Sequence, residues 1–311
     1  MRYKPLGKTG ISVSVISFGG APLGNEFGGI DLTEGERAVH VAIDRGITLF
    51  DTSPYYGRTL SETRLGAALA GKRDQVVLSS KCGRYDVAAF DFSAARVKAS
   101  VDESLGRLRT DHLDLLIAHD IEFGDREQTV HETVPAMREL QKAGKVRAVG
   151  ISGLPLKVLA DVATRGQVDF VLSYCRYNPL IQDMDVDLTP VLEKQGIGLL
   201  NAAPVHLRLL TKEGALPKHP APDAVKQAGA AIVQACLRHG MDPAIVALRF
   251  CLQHPYAAST CVGMTNVHEV EQNLTALDSE IPVELLAEIA RIAEPVKAMT
   301  WVSGRPENQD A

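Results

Sequence analysis

No stretch of this chain approaches the roughly 18 consecutive apolar residues that a membrane-spanning helix needs. The opening Met1-Arg2-Tyr3-Lys4-Pro5-Leu6-Gly7 holds no apolar signal segment. Charge of one sign is also scarce. The net charge is only −5 and forms no cluster, which argues against a nucleic-acid partner or an anionic membrane surface. Cysteines number five, an odd count without metal-like spacing, and point to reduced thiols and a cytoplasmic setting. Cys82, beside Lys81, reads as a buried bystander. The nine histidines include no His-x-His or His-Glu-x-x-His pair. His112 and His119, on one strand, point to opposite faces, so a metal site is a poor fit. The glycine fingerprint of an open dinucleotide-binding sheet is missing too: Phe18-Gly19-Gly20-Ala21-Pro22-Leu23 does not match it. Gly28-Gly29 lacks the lysine that a phosphate-cradling loop would add.

What remains is an evenly apolar chain of 311 residues, 45% hydrophobic, ample for a large core. Tyr3 to Ser12, with Gly7-Lys8-Thr9-Gly10 at its centre, reads as a hairpin ahead of the main fold. Short apolar runs and helical patterns then alternate. Strands are expected at 13–18, 48–51, 76–81, 113–119, 146–152, 168–173, 197–201 and 259–262, with helices between them. Thr33-Glu34-Gly35-Glu36 has capping-box spacing, and Val97, Val101, Leu105 and Leu108 share one helical face. Residues 204–222 have no periodicity, helices follow near 225–238 and 243–253, and one more spans about 282–294. The tail, 295–311, is irregular, holds the only tryptophan, Trp301, and is expected near the active-site face.

Continuous rather than alternating apolar strands indicate a parallel sheet covered by helices. Eight such units without a linker favour an α/β fold closed as a (β/α)8 TIM barrel, residues 1–311 forming one domain with a hairpin and extra helices in the second half. In that fold the C-terminal strand ends carry function. Asp51, Lys81 and His119 fall there, and Tyr56 follows on the loop after the second strand. A lone Asp at such a place often caps a turn, and a lone Lys or His is often solvated; the coincidence of four is what points to a site. Tyrosine has a pKa near 10 and needs help as an acid or base at neutral pH. Lys81 is expected to lower it, Asp51 to keep that lysine charged, and His119 to orient a substrate oxygen. The set moves one proton on or off a carbonyl or alcohol oxygen and contains no electron carrier, so a redox reaction needs a nicotinamide.

Phe50-Asp51-Thr52-Ser53-Pro54-Tyr55-Tyr56-Gly57, with Ser61-Glu62 and Leu65-Gly66, resembles the signature of the aldo-keto reductases. Lys81, His119 and Gly144-Lys145-Val146-Arg147-Ala148-Val149-Gly150-Ile151-Ser152 fall where that family has its other marks, and the likeness runs from about Lys4 to Glu294. Lys81-Cys82-Gly83-Arg84-Tyr85, Phe90-Asp91-Phe92-Ser93, His119-Asp120-Ile121-Glu122-Phe123-Gly124 and Leu172-Ser173-Tyr174-Cys175 are similar to the L-galactose and L-fucose dehydrogenase branch, as is the 294–301 tail. The resemblance implies a tetrad of Asp51, Tyr56, Lys81 and His119 and oxidation of an aldose's anomeric hydroxyl to a lactone. It implies cofactor contacts from Gly20, Ala21, Asp51, Ser152, Tyr174, Ala202, Pro204, Leu207, Gly263, Thr265, Glu269, Gln272 and Asn273. Substrate contacts are expected from Tyr56, His119, Asp120 and Trp301. Gly153 stands where the family commonly has asparagine, Ala202 where a tyrosine is frequent, and Tyr174 where a glutamine is usual. The loop 262–273 has no lysine or arginine for a 2′-phosphate, and Glu269 would repel one, so NAD is expected over NADP. Other readings stay open: a pyridoxal 4-dehydrogenase, a general NADPH-dependent carbonyl reductase, an aldolase using Lys81 as a Schiff base, or a cofactor-binding regulator. The substrate is expected to be a small sugar or other hemiacetal or carbonyl compound. The oligomeric state is left open.

Overall fold

The computed structural model describes residues 1–310. Two strands, β1 (Tyr3–Pro5) and β2 (Ser12–Ser14), pair antiparallel as a hairpin. Eight more close a parallel barrel: β3 (Ile16–Gly19), β4 (Leu49–Asp51), β5 (Val77–Cys82), β6 (Leu113–Ala118), β7 (Val146–Gly153), β8 (Phe170–Tyr174), β9 (Gly198–Ala202) and β10 (Ser259–Gly263). β10 pairs with both β9 and β3, so no edge strand is left in the barrel. The expected barrel and hairpin are therefore present.

Continuous apolarity is explained by burial on both faces. All of β6 is buried: Leu115 and Ile117 point into the barrel with Leu49, Ala148, Phe170 and Leu200, while Leu113 and Leu116 meet the helices outside. The helix Ala94–Leu108 places Val97, Val101, Leu105 and Leu108 on that outer core, and its N-cap Ser93 accepts a hydrogen bond from the Arg96 amide.

Two expectations change. The sequence pattern places Val13 in the first barrel strand. It belongs instead to the hairpin, and packs with Leu6 and Ile11 under the barrel interior, closing its N-terminal end. The 13–18 run is two strands with a break at Val15, because its apolar residues serve two separate cores. Gly7 makes the fit possible: its φ is +53°, and a Cβ there would lie 2.4 Å from the Gly198 nitrogen. The helix Leu32–Asp44 is capped not by Thr33 but by Asp31, whose carboxylate accepts from the amides of Thr33 and Glu34.

The extra helices Asp223–Arg238 and Val283–Ala293 form a second apolar cluster with Leu180, Leu209 and Leu210. The chain from 203 to 222 is irregular as expected. Among the described residues no helix is long and apolar enough to cross a membrane.

Candidate active site

The strand ends deliver the expected side chains to one place. Asp51 is the last residue of β4, Lys81 the next-to-last of β5, and His119 the first after β6; all are buried. Parallel register sets Asp51 opposite Ser79 and Lys81 opposite Ile117. Lys81 Nζ donates to Asp51 Oδ2 at 2.5 Å and to the Thr52 carbonyl at 2.7 Å, and Ser79 Oγ donates to Asp51 Oδ1 at 2.9 Å. The lysine is thus held as a paired ammonium. That pairing disfavours its use as a free-amine nucleophile, and with it the aldolase reading.

Tyr56 reaches the same spot from a tight turn. Gly57, Arg58 and Thr59 are all left-handed, with φ of +63°, +49° and +78°. Strain of this kind persists only where the surroundings enforce it. Here the turn packs against backbone: a Cβ on Gly24 would lie 2.5 Å from the Tyr56 carbonyl carbon, so glycine is required. The Lys81 ammonium lies 4.7 Å from the centre of the Tyr56 ring, and the ring meets His119 edge-on at 5.6 Å. Ser61 and Glu62 of the signature serve the scaffold. Ser61 Oγ donates to the Gly20 carbonyl at 2.7 Å, and Glu62 accepts from Ser80 at 2.5 Å and from Arg107 at 2.6 Å.

The titration of these groups corrects one expectation. Burial, with Asp51 and Asp120 nearby, pushes the Tyr56 phenol well above its ordinary value; Lys81 does not bring it down. Burial is the larger effect, and the Asp51 carboxylate that pairs with Lys81 also faces the phenol and offsets the ammonium's charge. Burial, reinforced by Lys81 and Arg84, drives His119 well below the ordinary imidazole range, so it is neutral. Ser53 Oγ lies 3.1 Å from His119 Nδ1 and itself accepts from the Tyr55 amide. When that hydroxyl donates to Nδ1, the neutral ring carries its hydrogen on Nε2. Burial holds the Cys82 thiol up at about 12, an inert bystander as expected.

The remaining expected residues are spread around the same rim. Gly20 and Ala21 follow β3, Ser152 lies in β7, and Tyr174, Ala202 and Gly263 end β8, β9 and β10. Pro204 and Leu207 lie in the tight loop after β9, and Glu269, Gln272 and Asn273 on the helix Val267–Thr275. Asp120 is buried next to His119. Trp301 is different. It packs edge-on against His206 and His219, with centroids 5.7 and 6.2 Å away, and not against Tyr56 or His119. The sequence puts the tail near the rim, but only packing shows which loop the indole covers.

Several neighbours were missed. Glu122, fully buried, accepts from Ser303 Oγ at 2.9 Å and from the Leu154 amide at 3.2 Å, which ties the tail to the loop after β6. Burial, then Asp120, raise its carboxyl to about 8. Arg84 pairs with Asp120. Lys212 Nζ sits 2.7 Å from Asp242 Oδ2, which also accepts from Gln272 Nε2 at 3.3 Å. A cation from outside the 262–273 loop thus stands beside its helix, neutralised by Asp242. No local pattern signals these long-range pairings.

Thr265, Glu269, Gln272 and Asn273 offer polar groups that could hold a nicotinamide dinucleotide. Glu269 Oε2 accepts from the Thr265 amide at 2.6 Å and its hydroxyl at 2.9 Å, so the carboxylate is fixed, with Oε1 left to accept.

The profile of the Aldo/keto reductase family matches residues 15–294. The L-galactose dehydrogenase of Arabidopsis thaliana is 43% identical, covering 99% of this chain and 99% of its own length. A D-threo-aldose 1-dehydrogenase of Pseudomonas sp is 29% identical over 90% of this chain and 94% of its own. An aldo-keto reductase from Bacillus halodurans, solved in its holo form, superposes with a TM-score of 0.78 at 26% identity, over 94% of this chain and 96% of that one.

Proposed function

The chain belongs to the aldo/keto reductase family, and on that premise we propose that it is an NAD-dependent dehydrogenase oxidising the anomeric hydroxyl of an aldose, of the L-galactose or L-fucose type, to the lactone. The observation that carries the substrate class is the end-to-end likeness to an L-galactose dehydrogenase, 43% over 99% of both chains. The dehydrogenase chemistry rests on Tyr56, His119, Lys81 and Asp51 meeting at one end of the barrel.

In this reading Tyr56 Oη takes the proton from the anomeric hydroxyl. His119 Nε2–H donates to the same oxygen and fixes its position, with the Ser53 hydroxyl, 3.1 Å from Nδ1, donating to the other ring nitrogen. The Lys81 ammonium, anchored on Asp51, supplies positive charge beside the ring where the phenolate forms. A nicotinamide held at this end of the barrel would supply the hydride acceptor for the anomeric carbon. Glu269, with no cation in its loop, supports NAD over NADP.

The test is a panel of L- and D-aldoses and pyridoxal with NAD and NADP, following reduced cofactor and identifying the product. The expected result is lactone formation from L-galactose or L-fucose, with NAD preferred. Oxidation of pyridoxal alone, or of no member of the panel, overturns the reading.

A further inference from the structure

Next to His119 lies a charged pair that the proton chemistry does not use. Asp120 is left-handed, φ +52° and ψ +59°, and only 3% exposed. A buried carboxylate in that conformation costs stability that a glycine would avoid. Its Oδ2 pairs with Arg84 and lies 3.7 Å from His119 Nε2. Among the described residues Oδ1 has no hydrogen-bond partner. Arg84 is held on an aromatic shelf, 3.8 Å from the Tyr55 ring centre and 5.4 and 5.6 Å from those of Phe90 and Phe123, and its buried Nε has no partner. Tyr55 meets Tyr56 at 6.0 Å and His119 at 5.9 Å, so the shelf packs directly against the proton-transfer groups.

We propose that Asp120 and Arg84 form a hydroxyl-recognition subsite that grips the ring hydroxyl on the carbon next to the anomeric centre, and so restrict the enzyme to sugars carrying it. The proposal rests on the aldose dehydrogenase reading. Its geometry follows from His119. If Nε2–H holds the anomeric oxygen, a vicinal hydroxyl oxygen sits about one hydrogen-bond length further on. The Asp120 carboxylate, 3.7 Å from Nε2, is the acceptor within that reach. The carboxylate accepts a hydrogen bond from the hydroxyl, and the guanidinium donates one to its oxygen.

The test compares kcat/KM for L-galactose and 2-deoxy-L-galactose with the intact enzyme and with Asp120→Asn and Arg84→Met. A lost hydrogen bond to a charged group predicts a preference for the parent sugar of roughly 10- to 100-fold. Chemistry alone pushes the other way, since removing an electron-withdrawing oxygen eases hydride loss from the adjacent carbon. In Asp120→Asn, which keeps shape and tolerates the left-handed backbone, the preference should shrink to within about threefold. Equal loss on both sugars, with the preference intact, makes the pair only a tie between loops and overturns the proposal. Should either variant fail to fold, the 2-, 3- and 4-deoxy sugars on the intact enzyme decide: the 2-deoxy compound must lose most. Oxidation of L-galactose without discrimination overturns the subsite alone, whereas no oxidation of any aldose overturns the dehydrogenase reading beneath it.

Discussion

Replacing Lys81 with methionine removes one member of a buried pair and strands the other. The two side chains are exposed by 1% and 7%, so water screens the interaction little. Without the ammonium, Asp51 keeps only the Ser79 hydroxyl at 2.9 Å on its side-chain oxygens. Stranding a buried charge costs about 3–5 kcal/mol, against about 1 kcal/mol or less for an exposed pair. At roughly 2–4 °C per kcal/mol for chains of comparable size, the melting point should fall by about 10 °C. Asp51→Asn alone should also destabilise, because Lys81 would keep only the Thr52 carbonyl at 2.7 Å. The double variant should then be more stable than the sum of the single losses by at least about 1 kcal/mol. Urea unfolding of the four proteins closes this cycle. Additive losses, or a cost below about 1 kcal/mol for Lys81→Met, would refute the claim that a desolvated pair organises the site.

Three further outcomes are expected. The Tyr56 phenol is raised by burial and by Asp51, so its base form is scarce at neutral pH and grows about tenfold per pH unit. Oxidative kcat/KM should therefore climb from about pH 6 to about pH 9 without levelling, and a plateau below about pH 8 would contradict this. Glu122, raised to about 8, binds a proton in the folded state that it loses when unfolded. The stability it contributes is present below its ordinary range near 4.5 and fades as pH rises through about 8. Unfolding of the native protein and Glu122→Gln across that range should show this loss only with the glutamate; parallel curves would remove the effect. Glu269→Arg should shift the NADP-to-NAD ratio of kcat/KM by roughly 10- to 100-fold toward NADP, the scale of a charge-assisted contact. No shift would place the ribose elsewhere.

The barrel was legible because burial on both faces leaves runs such as Leu115–Ala118 without a polar position. The four proton-transfer residues were legible for the same reason: strand ends fix their places, and the Tyr56 turn announces itself through Ser53-Pro54 and Gly57. What was hidden depends on contacts between distant segments. Val13 reads as barrel until Leu6 and Ile11 are seen to share its core. The expected lowering of Tyr56 left out burial and the Asp51 charge, which together outweigh the ammonium beside the ring. Glu122 meets Ser303, and Trp301 meets His206 and His219; no periodicity within one element reports such pairs.

The central claim, a Tyr56-dependent oxidation of an aldose, is tested most directly by comparing the unmodified protein with Tyr56→Phe on L-galactose and NAD. Reduced cofactor and lactone should form in equal amounts with the unmodified protein. In Tyr56→Phe, turnover should fall by roughly two to four orders of magnitude, the range for a lost acid-base group, while NAD binding measured by calorimetry is retained. Near-normal turnover in the phenylalanine variant would contradict the account.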